Sequence, residues 1–487
     1  MAAVVVAAAI LRLWALDAQP GGLYPDEAAE AYDAHRLLHT PGFHPVFFQD
    51  DAGREALYGY LVAIAFRVAG ETTTVLRATS AVLGVLAVVA VYLWLRRRGE
   101  TVALAAAAWV AGSLWLVCIS RDGMRNVLVP VVGALALWAM SSWADRPARN
   151  GALLAGAAMA LGLWTYQPLK LLPVLFLAWA LWLRARDAAR WKAMRPLLRW
   201  VALAYVVVGA PMIYTAATDP GHYFGRALAV TAGGQAASGA GLIEHTVRTL
   251  LMFPLTGDPN QRHDVNALPM LGVPMTALTG LGAWAAWRRR HEPLESLVLI
   301  AIPVFLVPPL VATADAAPHF LRSLGLAAPV AALVGMGVAE AMRLGLRFAP
   351  APAVAAAVSV LLAAQAAAAA GTYFSRPVSA RYDAYSFNLV QLAEAARTAA
   401  PSAVLLDDYR ATNLRFLDRD ELATGRVSIR PPRPDPGSSP LLPGCGVVVF
   451  ALGKDDLARV LGAANAAHAV PAAYDPQGNP SVWRTSC

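Results

Sequence analysis

The chain has 487 residues, 57% of them hydrophobic and only 15% charged, with a formal net charge of +8. A soluble domain carries about 25% charged residues, so this composition excludes an ordinary soluble enzyme and predicts a polytopic α-helical membrane protein. Nucleic acid is not the expected partner of the basic balance: the Arg residues stand in short clusters between apolar runs, as cytoplasmic loops require, and the three Cys show no metal-ligand spacing.

In chain order, residues 2–17 form the first apolar run. It lacks the basic leader of a signal peptide and more runs follow, so it reads as a retained helix, with Arg12 reaching toward an interface. LYPDEAAEAYDAHRLL (23–38) then sets Asp26 and Glu27 side by side after Pro25, and QDDAGRE (49–55) follows. The apolar stretch 57–69 lies between Glu55 and Arg67, with eleven residues separating them. A helix rises about 1.5 Å per residue against a hydrocarbon layer of about 30 Å, and a charge at mid-membrane costs at least about 2.5 kcal/mol. This stretch therefore predicts an interfacial helix that does not span.

Later apolar runs fall near 77–95, 101–119, 127–143, 151–166, 168–183, 199–217, 269–287, 294–313, 323–342 and 351–371. With the first run these predict about eleven transmembrane helices, N-terminus inside and C-terminus outside. The cytoplasmic loops are then RRRGE (96–100), DRPARN (145–150), RARDAARWKAMR (184–195), RRRHE (288–292) and RLGLR (343–347), every one basic. Were 57–69 to span, all later loops would invert and the positive-inside rule would fail repeatedly.

The tail 372–487 changes character, and it predicts a small extracytoplasmic α/β domain beyond a transmembrane domain of residues 1–371. SAVLLDDY and GVVVFAL read as short buried strands, and FNLVQLAEAART and KDDLARVLGAANAA as helices. RPPRPDPGSSPLLPG (430–444) reads as a Pro-rich loop. Cys445 and Cys487 are a possible disulfide in an oxidising compartment, the other reading being two free thiols. Cys118, inside an apolar run, reads as packing.

This topology gathers polar groups on the outer face: Asp26, Glu27, Glu55, Arg121, Asp122, Arg125, the turn of Tyr166, Gln167 and Lys170, the loop GDPNQRHDVNALP (257–269) with His263, and His319 with Arg322. Each has a plainer reading. Asp26 and Glu27 suit the acidic first turn of a helix after Pro25. Arg121, Arg125 and Lys170 suit interfacial anchors. Asp122 suits an ion pair with either Arg, and His263 suits an ordinary loop. Together they match sugar transfer from a lipid phosphate. That reaction needs a base for the acceptor proton and cations for the departing phosphate.

The DE pair after the first helix, GREALYGYL (53–61), LRATSAVLGVLAVVAVYLWLRRR (76–98), ISRDGMR (119–125), DPNQRHDVNALPML (258–271) and PHFLRSLG (318–325) resemble, in this order and over about the first 370 residues, a known family. It is the GT-C fold, polyprenyl-phosphate-sugar-dependent glycosyltransferases of glycosyltransferase family 39, near the protein O-mannosyltransferases and lipid A aminoarabinose transferases. The resemblance implies Asp26 as general base, Glu27 as its neighbour supporting acceptor or loop geometry, Glu55 and Asp122 as further acidic site positions, and Arg121, Arg125, Lys170, His263 and Arg322 toward the donor phosphate. Ala56-Leu57 stands where relatives carry Lys-Pro-Pro or a Pro-rich stretch, so a lysine–phosphate contact is missing there. A divalent metal at His263 is left open. The implied protein sits in the bacterial cytoplasmic membrane, with its site on the extracytoplasmic side. It takes a polyprenyl-phosphate sugar and a protein, lipid or glycan acceptor. A transporter or flippase of a lipid-linked sugar, a glycan ligase or polymerase of the same fold, and an envelope scaffold are the competing readings. No clear internal repeat of the transporter kind is present.

Overall fold

In lipid every backbone N–H and C=O must be satisfied within its own segment, so long apolar runs fold as helices. The computed structural model describes all residues except 51–52, 233–238, 314–315, 431–446, 452–453, 462–465 and 486–487. Among the described residues, seven helices are long and apolar enough to cross a bilayer: Thr73–Arg98, Arg125–Asp145, Gln167–Arg186, Ala188–Thr218, Pro293–Val311, Leu324–Gly345 and Ala351–Ser375. An eighth is the pair Glu100–Gly112 and Leu114–Arg121, bent by 57° at Ser113. The other three expected spans are also helices, but shorter: Ala2–Leu13 has 12 residues, Arg149–Leu161 has 13 and Gly272–Arg288 has 17. At about 1.5 Å per residue each falls short of about 30 Å. Leu57–Ala69, at 13 residues, is short in the same way, as its flanking charges require.

The chain divides into two compact units. The first comprises Met1–Trp14, His44–Leu61 and Arg77–Ser375. Its core is built around fully buried indoles, among them Trp94, Trp109, Trp115, Trp143 and Trp179. Two of these indole N–H groups have hydroxyl acceptors, whereas those of Trp109, Trp115 and Trp143 have none among the described residues. Trp94 donates to Ser141 Oγ at 3.2 Å and Trp179 to Ser296 Oγ at 3.1 Å. Glycines let two helices cross closely. A Cβ on Gly337 of Ala327–Gly345 would collide with the Leu278 carbonyl, and one on Gly282 of Gly272–Arg288 with the Leu333 carbonyl. Small residues at such crossings replace the hydrophobic driving force that lipid does not supply.

The second unit joins Ala15–Phe43 and Val62–Leu76 to the tail Arg376–Cys487. The tail carries a five-stranded sheet of β3 (Ser402–Leu405), β4 (Val427–Arg430), β5 (Val447–Phe450), β6 (Ala469–Tyr474) and β7 (Pro480–Thr485), numbered after the hairpin strands β1 (Phe47–Phe48) and β2 (Arg54–Glu55) of the first unit. The order is β4-β3-β5-β7-β6, with β3 parallel to β4 and β5, and β7 antiparallel to β5 and β6. Val404, Val448 and Val482 pack against Leu389, Leu392 and Leu414 of the helices Phe387–Thr398 and Asp408–Leu417. The predicted strands and the helix from 387 are found. The stretch SAVLLDDY ends as a strand at Leu405, because Asp407 caps the next helix by accepting the Arg410 N–H at 2.9 Å. Within this unit, Asn413 donates to the Leu23 carbonyl at 2.6 Å, and the Phe66 and Phe416 rings stack with centroids 5.9 Å apart.

Candidate active site

Glu55 is set by the hairpin β1–β2, in which Phe47 pairs with Glu55 and Phe48 with Arg54. Gly53 makes the return with φ +85°, and a Cβ there would meet the His222 carbonyl oxygen at 2.6 Å and the Phe47 ring at 2.7 Å. Only glycine satisfies both conditions. The Glu55 carboxylate is buried and accepts from Arg125 Nε at 3.0 Å, while Lys170 Nζ lies 2.9 Å from its other oxygen. Burial works to raise the Glu55 pKa, but the charges of Lys170 and Arg125 overcome it and hold the carboxyl below its ordinary value.

Both cations come from breaks between membrane helices. Arg125 opens the 3-10 turn Arg125–Val127 and Lys170 lies in Gln167–Leu171. Tyr166 joins a third cation to them: its hydroxyl accepts from Arg322 at 2.7 Å, and the Arg125 guanidinium lies 5.6 Å from its ring centroid. Lys170 Nζ sits 3.9 Å above the Tyr223 ring. Burial, first, and the Glu55 charge keep the Tyr223 phenol protonated by raising its pKa. The cluster thus gathers three cations, Arg125, Lys170 and Arg322, with the Glu55 carboxylate that pairs with the first two.

A second group lies in the same unit. Asp258 Oδ2 accepts from the Phe320 N–H at 2.7 Å and pairs with His263 Nδ1 at 2.9 Å. Burial works to raise the Asp258 pKa, and the His263 hydrogen bond and charge bring it below the ordinary value. His263 is itself buried, which lowers its own pKa, and its Nε2 has no hydrogen-bond partner among the described residues. The His319 ring lies 5.0 Å from the His263 ring, and one donor atom from each of Asp258, His263 and His319 falls within 4.8 Å of the others. A carboxylate-oriented imidazole with its other nitrogen unsatisfied, beside a second imidazole, fits a divalent cation of the zinc type. Next to it, burial pushes the Asp264 carboxyl up to about 8.

Asp26 and Glu27 lie in the second unit, in the first turn of the helix Pro25–His39. Glu27 accepts from the Tyr24 N–H at 3.2 Å, so it holds the helix start as the third residue of a capping box does. Asp26 is 5% exposed and accepts from the Tyr409 hydroxyl at 2.7 Å. Burial and the Asp26 charge raise the Tyr409 pKa, so the phenol keeps its proton and remains the donor. Nothing in the tail sequence marks Tyr409 as a partner of Asp26.

The structure therefore brings Glu55, Arg125 and Lys170 together, with Arg322 joined through Tyr166, and places Arg121 at a helix end. The buried Arg121 guanidinium donates to the carbonyls of Leu11 at 3.2 Å, Arg12 at 3.1 Å and Trp14 at 2.8 Å, closing the end of Ala2–Leu13. A cation at a helix C-terminus satisfies orphan carbonyls and the dipole together. Arg121→Gln is expected to cost roughly 1.5–3 kcal/mol of stability, measured by thermal unfolding, with an unchanged KM for the sugar donor. A raised KM at unchanged stability would return Arg121 to the phosphate-binding set. Asp122 is buried at the end of Leu114–Arg121 and Cys118 is buried within that helix. Cys445 and Cys487 lie outside the described residues, and with them the expected disulfide.

Residues 55–214 match the model of the family described as dolichyl-phosphate-mannose-protein mannosyltransferase, a segment under half of the chain. No curated protein matches the chain in sequence. Among solved structures, the chain matches ArnT from Cupriavidus metallidurans bound to undecaprenyl phosphate, with a TM-score of 0.63 and 14% identity over 99% of this chain and 97% of that one. It also matches the apo state of that protein, with a TM-score of 0.60 and 14% identity over 99% and 96%. At this identity the likeness is one of fold, and it runs the length of both chains. By that fold the chain is a multi-pass membrane protein of the GT-C fold, and its segment 55–214 is similar to a family of glycosyltransferases.

Proposed function

We propose that the protein moves a sugar from a polyprenyl-phosphate donor to an acceptor hydroxyl on the outer face of the membrane, with inversion at the anomeric carbon. The observation that carries the reading is the pairing of Arg125 and Lys170 with Glu55, with Arg322 held beside Arg125 through Tyr166. The donor is a phosphodiester with one negative charge, and the departing polyprenyl phosphate carries two. A cluster of cations gains attraction as the phosphate takes its second charge. It therefore stabilises the transition state more than the ground state, as catalysis requires.

The acceptor O–H gives its proton to Asp26, and its oxygen forms the bond to C1. The bond from C1 to the phosphate oxygen breaks, and its electron pair leaves on the phosphate. Tyr409 holds one Asp26 oxygen by its hydroxyl and so fixes the carboxylate that takes the proton. Asp258, His263 and His319 would hold a divalent cation, which would add positive charge for the phosphate. The mannosyltransferase family segment and the fold shared with a protein crystallised with undecaprenyl phosphate support the donor class. The basic loops that all fall on one side of the predicted topology support the outer-face assignment.

The test is incubation of the full chain in nanodiscs with a panel of polyprenyl-phosphate sugars, followed by mass spectrometry. One donor is expected to be consumed, with free polyprenyl phosphate as product. Movement of intact lipid-linked sugar across proteoliposomes, with no donor cleaved, would favour the flippase reading instead.

A further inference from the structure

We propose that His35, His39 and Glu71 form a divalent-metal site of the zinc type, separate in sequence and in ligands from the residues above. All three belong to the second unit. His35 and His39 stand four residues apart on the helix Pro25–His39, a spacing that sets both side chains on one face. Glu71 comes from the segment after Leu57–Ala69, reached through Gly70 at φ +91°.

The donor atoms converge. His35 Nδ1 lies 2.7 Å from Glu71 Oε2, and His39 Nε2 lies 2.6 Å from Glu71 Oε1. The two imidazole centroids are 4.5 Å apart, and one donor atom from each of the three residues lies within 4.8 Å of the others. Each carboxylate oxygen faces one imidazole nitrogen. A zinc-type cation bound at about 2.0–2.2 Å from nitrogen and oxygen needs donors roughly 3.0–3.5 Å apart. The group has only to open by a fraction of an ångström.

Two imidazoles and one carboxylate suit a cation of intermediate softness better than calcium or magnesium, which favour all-oxygen sites. His35 is 24% exposed, Glu71 15% and His39 56%, so one side stays open for a water ligand. The alternative is a carboxylate simply shared by two imidazoles. Arg419 bears on both readings, since its Nε lies 3.7 Å from Glu71 Oε2 and its Nη2 donates to the Glu71 carbonyl at 3.4 Å. It bears on the same oxygen that faces His35, and its charge weakens cation binding. Arg36, on the same helix, is paired with Asp33 at 3.3 Å. A bound cation would tie the helix that carries Asp26 in its first turn to the segment around Glu71.

The experiment uses the full chain with a tag free of polyhistidine, stripped by chelator and titrated with zinc against a chromophoric chelator. His35→Asn/His39→Asn and Glu71→Gln are each expected to lose one equivalent of zinc, or to bind it at least about tenfold more weakly. His263→Asn, measured alongside, accounts for the Asp258 group, and the equivalent lost must be additional to that one. In wild-type protein, zinc is expected to protect His35 and His39 from diethylpyrocarbonate, read residue by residue by mass spectrometry. This arm needs no variant to fold. Zinc stoichiometry equal to wild type in both variants would overturn the site, and so would unprotected His35 and His39 at saturating zinc.

Discussion

Asp26→Asn is expected to leave the protein folded and to lower sugar transfer by about 10²–10⁴-fold, the range for losing a positioned general base. The amide keeps the shape of the carboxyl, and its oxygen still accepts from the Tyr409 hydroxyl that now lies 2.7 Å from Asp26. What it loses is the capacity to take a proton. Glu27→Gln separates this from a helix-start effect. Its amide oxygen still accepts the Tyr24 N–H, so that variant is expected to keep most of its stability and its transfer rate. Tyr409→Phe is expected to fall between the two, with a reduced kcat and an unchanged donor KM, because Tyr409 positions the base without touching the donor. The measurements are kcat and KM with matched expression and a thermal transition for each variant. Wild-type turnover by Asp26→Asn would remove the residue from the mechanism.

How much of this was legible in the sequence differs by layer, for physical reasons. Each apolar run expected to span is found as a helix, because in lipid the helix satisfies its own backbone and composition alone decides it. Length limits that reading: Ala2–Leu13 and Arg149–Leu161 stop short of the ends of the runs 2–17 and 151–166, since Trp14 and the turn Gly162–Trp164 end the helices early. In the tail, Ala469–Tyr474 went unread because AVPAAY has weak strand propensity. It is tolerated as an edge strand, where Pro471 and the register shifts near it disturb no further neighbour. The residue types of the candidate site were legible; their partners were not. Glu55, Arg125 and Lys170 lie far apart in the chain, and no local pattern says that the acid neutralises two of the cations. Arg121 and Arg125 look alike four residues apart, yet one closes a helix end and the other faces Glu55.

Glu55→Gln is the second large effect, and it acts first on stability. Glu55 is 1% exposed, and its partners Arg125 and Lys170 are 3% and 13% exposed. Removing one charge from a buried group leaves the others uncompensated, at about 3–5 kcal/mol. Thermal unfolding of the variant should therefore fall well below wild type at neutral pH. The folded pKa of Glu55 lies below its ordinary value of 4.5. Its contribution is thus fully present above that value and is lost as pH falls through the depressed folded one. The gap between wild type and variant should close under acid conditions. Inorganic phosphate at millimolar concentration should restore more stability to the variant than to wild type, because an anion can replace the missing carboxylate between Arg125 and Lys170. Lys170→Met makes the complementary case. Arg125 still pairs with Glu55 at 3.0 Å, so the stability loss should be smaller, while transfer should fall by about 10²–10³-fold with one phosphate cation gone. In the double variant the stability costs should be strongly non-additive, as for residues of one network. Additive costs, or a Glu55→Gln protein as stable as wild type and indifferent to phosphate, would mean that Glu55 does not hold the cations in place for the donor.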